Sequence, residues 1–135
     1  MRCIKERLNM KIIVVAGRIF LVLIFLAGGA SLFSKGPVAY AQAEGVPMPS
    51  IAVPVAGVLA VLGGLSVALG YKARLGAWLL VVFLVPVTFY MHAFWKIADP
   101  QMMANQQAHF FKNIGLMGAA LMITQMGSGP ASLKE

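Results

Sequence analysis

Charge is scarce in this chain of 135 residues. Only 11% of the residues are Asp, Glu, Lys or Arg, four of them acidic in total, while 60% are hydrophobic. A soluble domain carries about 25% charged residues, so a fully water-facing surface is excluded. Cysteine is scarcer still. Cys3 stands alone, which excludes an internal disulfide and a Cys-x-x-Cys pair, and with them thiol–disulfide chemistry by this chain alone. There are two histidines and no Gly-rich phosphate loop, no metal-ligand cluster and no Ser/His/Asp arrangement. Strand-like alternation is missing as well. Helices are then the economical way to satisfy the backbone in an apolar solvent.

What the chain has in quantity is long apolar runs. Four segments read as membrane spans: about 12–33, 51–71, 75–95 and 110–126. A helix crossing the hydrocarbon core needs roughly 20 residues. The expectation is an all-α fold, a bundle of four transmembrane helices. The net charge of +7 would invite a nucleic-acid reading, but the basic residues lie where membrane topology wants them. Arg2, Lys5, Arg7, Lys11, Arg18, Lys72, Arg74 and Lys134 fall on one side; Lys35, Lys96 and Lys112 fall on the other. By the positive-inside rule both termini face the cytoplasm, an N-in/C-in arrangement. Nucleic acid is not expected as a partner; the lipid bilayer is. Residues 1–11 form a basic cytoplasmic lead-in, and the Gly/Ser/Pro-containing stretch 127–135 reads as a disordered cytoplasmic tail. A rival reading of the first span is a cleaved signal peptide ending at Ala41 or Ala43, which an intact mass would decide.

Within the spans, Arg18 sits about 9 Å along the helix from Ile12. It either snorkels to the headgroups or pairs inside the bundle. Ala56, Ala60, Gly64 and Ala68 recur every four residues, with Gly57 and Gly63 beside them. Such a face lets helices approach closely. Between the first two spans, Val38 to Glu44 reads as a short interfacial helix, and Ser50 as the cap of the second span. The turn 70–74 is short enough to dictate an antiparallel hairpin of spans two and three. Pro86 should bend span three. Asp99-Pro100 reads as N-cap and first helical residue.

The outward-facing end collects both histidines and three lysines. Lys35 closes span one. Tyr90, His92, Trp95 and Lys96 close span three, with His92 and Lys96 on one helical face. His109, Lys112 and Asn113 open span four. Two helix N-termini point to the same end and favour an electron-rich group. The candidate ligand-binding residues are His92, Lys112 and Asn113 as hydrogen-bonding groups, with Lys35 beside them, and Phe89, Phe94 and Trp95 as an aromatic wall. Such a site suits a quinone head group, and also a small oxyanion. No catalytic residue, metal ligand or cofactor motif is identified. The opposing readings are an interfacial aromatic belt for Trp95 and Tyr90 and headgroup contacts for Lys35 and Lys96. A bis-histidine haem has the right residue types but no further signal.

Several motifs in order resemble the DoxX family of small bacterial membrane proteins. They are Gly17-Arg18, Phe33-Ser34-Lys35, Gly45-Val46-Pro47-Met48-Pro49, Gly63-Gly64 through Gly70 to Arg74, His92-Ala93-Phe94-Trp95, and Phe111-Lys112-Asn113-Ile114. The resemblance covers about residues 12–125. It implies a multi-pass four-helix bundle in a bacterial inner membrane, in a family linked to quinone-dependent redox complexes. Relatives often carry a glutamate three residues before the Gly-Gly pair, where this chain has Ala60. The resemblance is therefore closer to DoxX-like proteins in general than to the thiosulfate:quinone oxidoreductase subunit from which the family takes its name. Three readings follow. The first is an accessory subunit of a quinone-linked oxidoreductase, working with a soluble or membrane redox partner. The second is a non-enzymatic scaffold or assembly partner, with a homo-oligomer as one form of it. The third is a small-molecule transporter.

Overall fold

A computed structural model describes residues 2–133. The fold is helical throughout the described residues: α1 (Arg2–Ser31), α2 (Lys35–Ala43), α3 (Pro49–Leu69), α4 (Ala73–Met91), a single 3-10 turn (Phe94–Lys96) and α5 (Pro100–Met126). The long helices pack in the order α1, α3, α4, α5, and α2 lies against α3. Three segments, Cys3–Ser31, Pro49–Leu69 and Ala73–Lys96, are long and apolar enough to cross a membrane. The stretch expected as a fourth span falls inside α5, which is not among them. Gln101, Asn105, Gln106, Gln107 and His109 make its first half polar.

Large apolar side chains face outward on each long helix, among them Phe20, Leu62, Val82 and Met122. In water each would forfeit about 1.5–3 kcal/mol of burial; in lipid it forfeits little. The interior is correspondingly thin. Val22 and Phe25 of α1, Val67 of α3, Leu80 and Leu84 of α4 and Ala120 of α5 form one buried cluster. Close backbone approach supplies much of the rest. An added Cβ at Gly29 would lie 2.8 Å from the Ala60 Cβ, and one at Gly63 would lie 2.8 Å from the Gly76 carbonyl oxygen. The small residues of α3 thus serve both neighbours, α1 on one face and α4 on the other.

The α3–α4 turn is tight. Gly70 ends α3 in the left-handed region at φ 63°, and the Ser66 hydroxyl donates to the Tyr71 carbonyl at 2.6 Å. The cap of α3 differs from expectation. The helix starts at Pro49 with Met48 as N-cap, and no side chain caps it; Ser50 is already inside the helix, and the Met48 carbonyl accepts from the Ile51 and Ala52 N–H groups at 3.0 and 2.9 Å. At α5 the expectation holds, since the Asp99 carboxylate accepts from the Met102 N–H at 2.8 Å. Another correction concerns span three. The helix stops at Met91, with His92 as a non-helical C-cap, so His92 and Lys96 do not share a helical face.

Arg18 does not reach outward. It is buried, at 6% exposure, and its guanidinium donates to the carbonyls of Ser128 and Ala131 and to the Ser132 hydroxyl. Residues 127–133, expected as part of a disordered tail, turn back over this end of the bundle, where the Leu133 N–H donates to the Leu69 carbonyl at 3.2 Å. Residues 134 and 135 of that expectation, and Met1 of the lead-in, lie outside the described residues.

Candidate ligand-binding site

At the opposite end from Arg18 the helices part around a cavity of about 460 Å³. Three features of the sequence open it. Gly28 gives α1 no side chain there. Pro86 gives α4 a ring in place of an N–H. Turns at residues 32–34 and at Gly45, on either side of α2, fold this short helix back; Gly36-Pro37, expected as a turn, are among its first residues, and Pro37, Tyr40 and Ala41 roof the space. The lining is mostly apolar, with Phe25 and Phe83 meeting edge-on at 6.1 Å between α1 and α4. Polar groups gather on one side: His92, Lys112 and Asn113 all line the cavity. These are three of the seven residues singled out from the sequence, brought together from α5 and from the end of α4.

The other four stand elsewhere. Lys35 begins α2 and is exposed. Phe89, Phe94 and Trp95 surround Phe110, with ring centroids 5.6, 5.4 and 5.7 Å from it. None of these four lines the cavity. The aromatic cluster follows from the helix ending at Met91. With His92 out of helical register, the 3-10 turn carries Phe94 and Trp95 to the α5 face.

His92 is held rather than free. Its Nδ1 lies 2.7 Å from the Gln106 Oε1. An amide oxygen only accepts, so Nδ1 carries the proton and Nε2 presents a lone pair. The imidazole also stacks on His109, with centroids 5.2 Å apart and planes 19° from parallel. Lys112 Nζ in turn lies 3.4 Å from the His109 Nδ1. Asn113 is the contrast. It is only 4% exposed, it lines the cavity, and its side-chain amide makes no hydrogen bond among the described residues. Its amide is therefore left to whatever fills the cavity.

Two contributors were not visible in the sequence. Gln106 lies fourteen residues from His92 and belongs to no local pattern that includes it. Tyr40 lines the roof, and its hydroxyl donates to the Met91 carbonyl at 3.4 Å. Partial burial, and after it the Glu44 carboxylate, push the Tyr40 phenol above its usual pKa. The only local clue to Tyr40 was its place on a short helix between two turn signals.

The sequence model of the DoxX family matches residues 13–93, more than half of the chain. This chain belongs to the DoxX family. The match runs from α1 through the end of α4, so the α5 wall with Lys112 and Asn113 lies beyond it. Among similar proteins, the inner membrane protein YphA of Escherichia coli is 29% identical over 124 residues, 90% of this chain and 88% of YphA. The Surfeit locus protein 4 homolog of Drosophila melanogaster is 34% identical over 70 residues, 51% of this chain and 26% of that protein. No solved structure matches. The family, the three apolar spans and the kinship with an inner membrane protein make this DoxX chain a multi-pass protein of the inner membrane.

Proposed function

We propose that this DoxX protein binds a quinone head group, or a small redox ligand of the same shape, in the cavity beside His92. The observation that carries the reading is Asn113, a residue only 4% exposed whose side-chain amide opens onto a largely apolar cavity and makes no hydrogen bond among the described residues. Ligand sites are commonly 300–1,000 Å³, apolar with a few placed polar groups, and a volume of about 460 Å³ falls in that range. A quinone carbonyl oxygen accepts from the Asn113 amide and the Lys112 ammonium. The free Nε2 of His92 accepts from a quinol hydroxyl. Phe25, Phe83 and Tyr90 flank the ring.

The chain then acts as an accessory subunit that presents the ligand, and a redox partner supplies electron transfer. In this reading α5 is the fourth span, with both termini in the cytoplasm. Its 27 residues make a rod of about 40 Å, longer than the roughly 30 Å hydrocarbon core. The polar stretch 101–109 would then stand in the outer headgroup region, leaving residues 110–126, about 26 Å of helix, to cross most of the core. Among the described residues, seven of the ten basic ones fall toward the Arg18 end, as positive-inside orientation requires. The scaffold reading draws less support, because the small-residue face of α3 is already filled by α1 and α4.

The deciding experiment is equilibrium binding of a quinone to the purified protein in lipid nanodiscs, for wild type, Lys112→Met and Asn113→Leu. The expected result is saturable binding by wild type and loss of about tenfold or more in each variant, the worth of one hydrogen bond from a charged or buried donor. Equal affinity in all three removes the reading.

A further inference from the structure

The side walls of the cavity are α1 and α5. These are the two long helices at the ends of the packing order, and they have no extended contact with each other. The paired glycines of α1 serve opposite ends here. Gly29 is pressed against α3, where an added Cβ would meet Ala60 and the Gly57 carbonyl. Gly28 lines the cavity, and an added Cβ there would meet nothing within 4 Å. One turn earlier, Ile24 lines the same cavity and is 39% exposed. Across from them, Leu116 of α5 lines the cavity, and its neighbour Gly115 is as open as Gly28.

The roof is different. Pro37, Tyr40 and Ala41 cover it, Ala41 is fully buried, and the Tyr40 hydroxyl ties α2 to the end of α4. The open side is therefore the one that faces hydrocarbon, between two helices whose outer surfaces are apolar.

We infer that the occupant of this cavity enters sideways from the bilayer, through the slot between α1 and α5 at Gly28, and is an amphiphile with an apolar tail. Its head meets Lys112, Asn113 and His92. Its tail lies past Gly28 and Ile24 and runs out into lipid. A water-soluble ion of similar head chemistry has no such route, since it would shed its hydration against apolar walls before reaching Asn113. The inference rests on the proposed quinone site.

The test uses the full chain in nanodiscs of phosphatidylethanolamine and phosphatidylglycerol, with two probes. One is a quinone whose isoprenoid tail carries a diazirine; the other is the same head without a tail. The expected crosslinks of the tail fall on α1 around Ile24 and Gly28 and on α5 around Leu116. Gly28→Leu slows association of the tailed probe about tenfold, equivalent to about 1.4 kcal/mol on the entry barrier, and slows the smaller tail-less probe less. Gly28→Ala behaves as wild type. Ile24→Trp narrows the same slot and replaces Gly28→Leu if that variant does not fold. Crosslinks on α2, or equal rates for the tailed probe in wild type and variant, overturn the lateral route while leaving a ligand site in place. Binding of neither probe by wild type overturns the site itself, and the route with it.

Discussion

His92 and Gln106 meet at 2.7 Å across fourteen residues of chain. The contact joins the frayed end of α4 to the polar first turns of α5, and it sets which nitrogen of the imidazole faces the cavity. Gln106→Leu removes that restraint and leaves the fold intact. The expected result is a several-fold loss of quinone affinity with unchanged helicity. Nitrogen NMR of labelled histidine checks the cause: a single Nδ1–H tautomer in the wild type, a mixture in the variant.

Asn113 sets a trade between stability and binding. Its amide opens onto the cavity, and Asn113→Leu puts an apolar side chain of similar volume on a mostly apolar wall, so the ligand-free variant should be as stable as wild type or more stable by up to about 1 kcal/mol. It should also lose the thermal shift that a bound quinone produces. Melting curves in one detergent, with and without quinone, check both halves.

Glycines of identical composition should respond in opposite ways. At Gly63 an added Cβ falls 2.8 Å from the Gly76 carbonyl oxygen, which belongs to backbone and cannot swing away. Gly63→Ala should therefore destabilise the α3–α4 hairpin, by about 1–3 kcal/mol as overpacking commonly does. Gly115 has nothing within 4 Å, and there Gly→Ala should gain up to about 1 kcal/mol of helix propensity. Thermal unfolding of the two variants side by side tests the assignment of close packing to α3.

Arg18 fastens the chain's last described residues to α1. It donates to two backbone carbonyls and one hydroxyl, with its charge among neutral acceptors. Arg18→Met should release residues 127–133. Carboxypeptidase digestion of the protein in nanodiscs should then trim the variant faster than wild type. Hydrogen bonds from a charged donor contribute about 1.5–3 kcal/mol, so the melting point should fall as well.

The asymmetry between α3 and α5 explains how much was legible beforehand. Pro49–Leu69 is apolar, uncharged and lined with small residues, so its existence, its span and its packing role all follow from local sequence. The helix α5 begins where Asp99-Pro100 predicts, yet its composition leaves open how much of it lies in lipid. The site divides in the same way. His92, Lys112 and Asn113 were recognisable because polar groups at the ends of apolar runs need partners. Phe89, Phe94 and Trp95 gather around Phe110 instead, an arrangement that depends on where α4 ends and on how α5 lies beside it.

Sequence alone determined that this chain is helical and membrane-embedded, with both histidines grouped toward one end and most basic residues toward the other. Those properties are sums over residues: hydropathy, run length, the spacing of glycine and alanine, the placement of lysine and arginine. Which of those polar residues share a cavity was decided only by tertiary structure. Gln106 against His92, Tyr40 over the roof and Arg18 under the returning chain are contacts between segments whose separation carries no periodic signal. They depend on where α4 ends and on how α1 and α5 are held apart, and that is settled by packing across the whole bundle.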